Sequence, residues 1–171
     1  MTRRTPGVCL TLLIAFLALA AGCSRSQLGL PQVALAVDSP DGGYRAVVRN
    51  HPSIDPPRQS LWLERVSGGR QGLRDLAEDQ DWCDQAVWTA DGRRVAFVVQ
   101  GIELLVFSVP DGELVQRSDL QPDGPYPPSL RVAGLRFTAD GSALDFRLCP
   151  RRGDRCDAPT RLAVLGRPGA S

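Results

Sequence analysis

The chain has 171 residues, and its 20 basic side chains, all arginine, nearly balance 19 acids to give a formal net charge of +1. No polyanion-binding surface follows from that balance, so nucleic acid is not an expected partner. Fifteen aspartates against four glutamates, with 17 glycines and 14 prolines, favour turns and short strands over helices. In chain order, residues 1–22 read first as a secretory signal. Arg3 and Arg4 form a basic start, Val8 to Ala21 is apolar except for Thr11, and Ala20, Ala21 and Gly22 lead to Cys23. The apolar run, about 14 residues, is short of the ~20 that an uncleaved membrane anchor needs.

The segment ending in Cys23 resembles a bacterial lipoprotein signal, with Ala20 where that family prefers Leu and Leu19 one residue earlier. The resemblance implies that Cys23 becomes the first mature residue, lipidated on sulfur and acylated on its amine, and so attached to a membrane. The family's inner-membrane retention signal is an Asp after the Cys. Ser24 holds that place, which implies the periplasmic face of the outer membrane in a Gram-negative envelope. Plain secretion without lipid is the competing reading. Loss of residues 1–22 removes Arg3 and Arg4 and leaves 149 residues with a net charge of −1, enough for one domain with a core.

Residues 23–31 then read as the lipidated Cys and a tether, and 32–171 as a β-rich domain. Within it a pattern recurs. Ala36-Val37-Asp38-Ser39-Pro40-Asp41-Gly42 returns as Ala86-Val87-Trp88-Thr89-Ala90-Asp91-Gly92, and again as Leu135-Arg136-Phe137-Thr138-Ala139-Asp140-Gly141. The aspartates are 50 and 49 residues apart, a period that belongs to propellers and stacked arrays. Ser/Thr-x-Asp-Gly is hairpin chemistry: Asp41, Asp91 and Asp140 bond their own backbone, and Gly42, Gly92 and Gly141 take positive φ. Each turn precedes an apolar run, Tyr44–Val48, Val95–Val99 and Ala143–Leu148, too short for a stable helix. Further strands complete the units: Ser60–Val66 and Gly72–Leu76, then Glu103–Val109 and Glu113–Arg117, then Thr160–Leu165, after which a fourth strand is weak or absent.

Residues 33–165 resemble about three TolB-type propeller repeats, relatives of WD-type blades, in which an aromatic precedes Ser-Pro-Asp-Gly. Trp88 and Phe137 match that aromatic; Asp38 replaces it in the first copy. The resemblance implies an all-β domain of about three propeller-blade-like antiparallel units, and protein contacts in the envelope. Propellers usually close with at least four blades. Three arrangements are therefore compatible: an open partial propeller, two chains closing a ring of six, or a β-sandwich whose hairpins mimic blades.

Three cysteines fall in the domain, in a compartment expected to be oxidising. Cys149 and Cys156 bracket a short polar segment, and a bridge between them is expected, with Cys83–Cys149 the alternative. Catalytic candidates are sparse. His51 is the sole histidine, placed in a Pro-rich loop as a solvated residue, with no Gly-x-Ser-x-Gly elbow in the chain. No Cys-x-x-Cys or EF-hand spacing occurs. Asp79, Asp81 and Asp84 flank Trp82, which suggests a sugar platform or, more simply, a polar loop whose Trp covers a sheet edge. Arg152-Gly153-Asp154 is ordinary turn chemistry. Tyr126 lies in the extended Pro122–Pro128 stretch.

The reading is a non-catalytic binding or scaffold module, without metal or cofactor, whose contact surface involves Trp82 and Tyr126. It is held at the outer membrane by lipid on Cys23, and its partner is an envelope or periplasmic protein. The alternatives are an immunity or inhibitor lipoprotein against a toxin or hydrolase, and a small hydrolase or glycan-binding protein using Asp79, Asp81 or His51.

Overall fold

A computed structural model describes residues 32–51, 58–76, 82–121, 130–153 and 155–165. The signal 1–22, Cys23, the tether, Asp79, Asp81, Asp154 and Tyr126 lie outside the described residues. Three hairpins built on one turn organise the fold. In each, the hydroxyl of Ser39, Thr89 or Thr138 donates to Oδ1 of Asp41, Asp91 or Asp140 at 2.5, 2.7 and 2.7 Å. The same hydroxyl accepts the amide of Tyr44, Arg94 or Ala143 at 2.9, 3.0 and 3.0 Å. The carboxylate also accepts the amide two residues on, from Gly43, Arg93 or Ser142. Gly42, Gly92 and Gly141 sit at φ of 67°, 69° and 69°, where a side chain would be strained. These bonds favour the ionised acid, so all three carboxyls are held below their ordinary pKa, Asp140 at about 2.

The described residues form eleven strands and no helix: β1 (Gln32–Asp38), β2 (Tyr44–His51), β3 (Arg58–Arg65), β4 (Arg70–Leu76), β5 (Cys83–Trp88), β6 (Arg94–Val99), β7 (Glu103–Ser108), β8 (Leu114–Asp119), β9 (Leu130–Phe137), β10 (Ala143–Pro150) and β11 (Thr160–Ala163). They make three antiparallel meanders, β1-β2-β3-β4, β5-β6-β7-β8 and β11-β10-β9, here called blades 1, 2 and 3. The all-β, three-unit expectation holds, and blade 3 has no fourth strand among the described residues. The first strands of the blades lie side by side, β1 against β5 and β5 against β9. Their turns stack with them: a Cβ on Gly92 would stand 3.4 Å from Asp41 Oδ1, and one on Gly141 would stand 3.1 Å from Thr89 Cγ2.

Two apolar layers join the blades. Ala46, Val48 and Leu61 of blade 1 pack against Val95, Phe97, Val99, Leu105 and Phe107 of blade 2. Ala96, Val98, Leu104 and Val106, from the other face of blade 2, pack against Val132, Leu135, Leu144 and Phe146 of blade 3. Blade 2 is thus apolar on both faces, and every residue from Val95 to Val99 is buried. That explains why β6 reads as a continuous apolar run and not as an alternation. Polar side chains also stitch the blades: Trp88 Nε1 donates to Val37 O at 3.0 Å, Gln85 Nε2 to Val132 O at 2.8 Å, and Gln59 Oε1 accepts the Cys83 amide at 2.7 Å.

The ends of the stack carry charge where its interior carries apolar side chains. By the repeat, Asp38, Trp88 and Phe137 are equivalent, as are Arg45, Val95 and Leu144. Trp88, Val95, Phe137 and Leu144 pack toward the preceding blade. Blade 1 has no preceding blade among the described residues, and there Asp38 and Arg45 pair across the open face at 2.5 Å while Arg49 pairs with Glu64. On the opposite side of each sheet, Ala46, Ala96 and Asp145 are equivalent, as are Val48, Val98 and Arg147. Blade 3 has no following blade among the described residues, and Asp145 pairs there with Arg161 at 2.6 Å and Arg136 at 3.7 Å. Polar outer faces on terminal repeats keep a stacked array from extending. The single chain is an open stack.

Two expectations about individual residues resolve differently. Cys149 and Cys156 are joined in a disulfide, and Cys83 is buried with a free thiol, which removes the Cys83–Cys149 alternative. His51 is no solvated loop residue. The β2–β3 ladder runs on to pair His51 with Arg58, and this brings His51 Nε2 to 2.6 Å from Ser60 Oγ.

Candidate functional site

Ser60, His51, Cys83 and Glu103 are held in the packing of the sheets. Ser60 beside His51 is only 1 % exposed, and its oxygen also accepts Trp62 Nε1 at 2.6 Å. A nucleophilic serine needs an open approach and a base oriented by a third group. Here imidazole and indole converge on one buried hydroxyl, and no carboxylate bonds the ring among the described residues. The Cys83 thiol is pushed up to about 12, chiefly by burial, so it stays protonated and unreactive at neutral pH. Glu103, buried in β7, is held by Arg74 of β4 at 3.7 Å and by Arg117 of β8. No group of three or more His, Cys, Asp and Glu side chains is placed to hold a metal ion among the described residues.

The repeated acids and Trp82 are not brought together. Asp41, Asp91 and Asp140 sit at the end of the stack where the first strands finish, and Trp82 at the end where β5 begins. At that second end, blades 2 and 3 meet in a cluster. The Arg151 guanidinium lies over the Trp82 ring, 4.5 Å from its centroid, and Arg151 Nη2 donates to Gln100 O at 2.6 Å. Gln100 and Gly101 form the β6–β7 turn with φ of 55° and 79°, the positive pair that a tight hairpin requires. Gln100 is a non-glycine residue in that region, and it is fixed from both sides: its amide donates to Trp82 O at 2.8 Å, and Gly101 O accepts the Val132 amide at 2.5 Å. The Cys149–Cys156 bridge closes the loop that carries Arg151.

Asp84 completes the cluster. Partial burial of its carboxyl raises its pKa from the ordinary value, while Arg151 and Arg131 pull the other way. The assembly presents an aromatic ring capped on one side by a guanidinium, an acid and a second arginine. Cation–π stacking of this kind contributes about 0.5–1 kcal/mol at exposed sites and acts on Arg151 together with its bond to Gln100 O. It also occupies a ring face that a sugar would need. Tyr126, the other expected contact residue, lies outside the described residues. Arg131, Arg151 and Gln100 were not legible as members of a site. Trp82 and Arg151 are joined only by the packing of blade 3 on blade 2, and the one local signal was the Gln-Gly pair between two apolar runs.

No family model matches the chain, and no curated protein matches it in sequence. Solved structures similar to it include the β-propeller domain of Myceliophteria thermophila Swd1, at 13% identity and TM-score 0.48, covering 79% of this chain and 40% of that one. A 6-phosphogluconolactonase candidate from Bacteroides uniformis is similar at 17% identity and TM-score 0.48, over 81% of this chain and 39% of that one. A prolyl endopeptidase is similar at 20% identity and TM-score 0.49, over 81% of this chain and 22% of that one. The chain spans less than half the length of each.

Proposed function

We propose that the chain is a membrane-anchored, non-catalytic protein-binding module of the cell envelope, held by lipid on Cys23 at the periplasmic face of the outer membrane. One observation carries the binding part: the distribution of side chains over the stack. The apolar faces between blades are consumed in the two core layers, and the repeated acids are spent on turns. Charged sheet faces and the Trp82–Arg151 cluster are left at the surface, which are means of recognition and not of turnover. The anchor rests on the sequence of residues 1–23.

Crosslinking in intact envelopes followed by purification of the Cys23-anchored chain tests this reading. One stoichiometric protein partner is expected, and Cys23→Ser is expected to release a folded domain from the membrane. Turnover of an envelope glycan by the purified chain, lost in Asp84→Ala without loss of fold, would overturn the non-catalytic reading. Membrane retention of Cys23→Ser would overturn the lipid anchor.

A further inference from the structure

The arginines of the described residues lie within strands, except Arg93, Arg151, Arg152 and Arg155. Arg93 belongs to the tight β5–β6 turn, where its amide donates to Asp91 Oδ1 at 3.0 Å and its carbonyl accepts the Val109 amide at 2.9 Å. A peptide bond held in a ladder or a tight turn is closed to a protease, which takes its substrate as an extended strand and bonds the main chain itself. Exposed loop tips are where chains are nicked. The other three arginines follow β10 in the Cys149–Cys156 loop. Arg151, Arg152, Gly153 and Arg155 are all exposed, and no hydrogen bond of their backbone joins them to another described residue.

The three arginines of the loop are not equivalent. Arg151 is seated on Trp82 and on Gln100 O, so close to the β6–β7 turn that a Cβ on Gly101 would lie 3.0 Å from its Nη2. Arg155 precedes Cys156, whose sulfur is in the bridge. Arg152 makes no ion pair, hydrogen bond or ring contact among the described residues. It is followed by Gly153 at a φ of 114°, and a Cβ there would meet nothing within 4 Å. Glycine leaves that conformation for an extended one without steric cost, so the Arg152–Gly153 bond is the one most readily drawn straight.

Two features keep the domain whole if that bond is cut. The bridge joins β10 to the segment beyond the cut, with the two Cα atoms 4.1 Å apart across the base of the loop. Beyond the bridge the chain is tied again: the Asp157 amide donates to Leu148 O at 2.8 Å, and Thr160 and Leu162 of β11 pair with Phe146 and Leu144. β11 ends the sheet of blade 3, and Gln116 of β8 caps part of the edge it leaves open. Gln116 Nε2 donates to Ala163 O at 3.2 Å, and its Oε1 accepts the Leu165 amide at 2.9 Å.

We propose that the Cys149–Cys156 loop is a processing site for an arginine-specific endoprotease, with Arg152 in the acidic specificity pocket of the protease and Arg152–Gly153 as the bond cut. Water adds across that amide. The C–N bond breaks, Arg152 keeps the carbonyl as a carboxylate, and Gly153 becomes a new chain end with an ammonium group. The two pieces stay joined through the bridge. Arg151 then lies beside a chain end and no longer within a closed loop, and the new carboxylate competes with the Trp82 ring for its guanidinium. Cleavage thereby uncovers the ring face that Arg151 occupies in the intact chain. The site goes beyond the binding reading above and requires neither the lipid on Cys23 nor a scaffold partner.

The test treats the folded full chain, in detergent micelles, with a low dose of trypsin. Within residues 32–165 a single cut is expected. It adds the mass of one water, and the pieces ending at Arg152 and beginning at Gly153 separate only after reduction. Arg152→Gln is expected to abolish the cut, and Arg93→Gln to leave it unchanged. Acrylamide is expected to quench tryptophan emission more strongly once the chain is nicked. Arg151→Ala is expected to show that stronger quenching before nicking and no further gain after it. A first cut elsewhere within residues 32–165, or a folded chain left intact at a dose that digests it in urea, would overturn the loop as the site. A first cut after Arg151 or Arg155 would overturn the choice of bond. Quenching unchanged by the nick would overturn the uncovering of Trp82.

Discussion

The second strands of blades 1 and 2 occupy the same place in the repeat but read differently. In β2, Tyr-Arg-Ala-Val-Val-Arg-Asn-His, Ala46 and Val48 are buried against blade 2, and on the other face Arg45 and Arg49 stand in ion pairs on either side of Val47, which is 1% exposed opposite Trp62 of β3. In β6, Arg-Val-Ala-Phe-Val-Val, both faces are buried, Val95, Phe97 and Val99 against blade 1 and Ala96 and Val98 against blade 3. The backbone environment, turn and register are alike. What differs is whether a sheet lies on each side. Position in the stack sets the pattern of a strand here, and a charged residue in the repeat marks a missing neighbour.

The strongest way to break the comparison is to give the interior strand the residue of the end strand. Val95→Arg places a guanidinium where the valine is fully buried, with no carboxylate to receive it. A cost of about 4 kcal/mol or more is expected, read as loss of cooperative urea unfolding. The reverse change, Arg45→Val, removes an exposed pair and is expected to leave the unfolding midpoint unmoved. A large shift there would mean that the end face is not solvated as described.

The bridge at the far end of the stack comes next. Replacing Cys149 and Cys156 together by Ser is expected to cost about 2–3 kcal/mol, the value for a short closed loop. It is also expected to change Trp82 emission as Arg151 loses its hold on the ring. Unchanged emission would show that the loop stays in place without its crosslink. The turns follow. Thr89 is 3% exposed and Thr138 is less buried, so Thr89→Ala, which strips the Arg94 amide and Asp91 of a partner, is expected to cost about 1–2 kcal/mol. Thr138→Ala should cost less, and equal losses would argue that the three turns are energetically interchangeable.

The smallest effect is acid dependence. Asp41, Asp91 and Asp140 are all depressed in the fold, Asp140 to about 2, against an ordinary carboxylate near 3.9. Their contribution is complete above the ordinary value and disappears as pH falls through the folded values. Stability should therefore decline between about pH 4 and pH 2, and Asp140→Asn should flatten part of that slope. A slope unaffected by the substitution would place the acid sensitivity in the ion pairs of the end faces instead.

The hairpins were readable because each turn is a local event. Ser39 or Thr89 reaches Asp two residues away, and glycine supplies the one conformation that other residues resist. The short disulfide was readable for the same reason. His51 was misplaced because the Pro-rich segment after it suggested a loop already begun, while the β2–β3 ladder in fact extends to Arg58. The Trp82 cluster was half legible. A tryptophan among aspartates attracted attention, but its partner Arg151 is 69 positions away and reaches it only when blade 3 packs on blade 2.

By itself the sequence determined the three hairpin units, their spacing, the all-β class and the local crosslink, because turn chemistry and strand alternation act within a few residues. It also carried Asp38 in the aromatic position, as a departure without a meaning. Only the tertiary structure decided that Asp38, Arg45 and Arg49 close one end of the stack, that Asp145 and Arg147 lie on the other, and that Gln116 caps part of an open edge on β11. Those are relations between sheets, and whether a strand face is buried or solvated depends on a neighbour that its own residues do not specify.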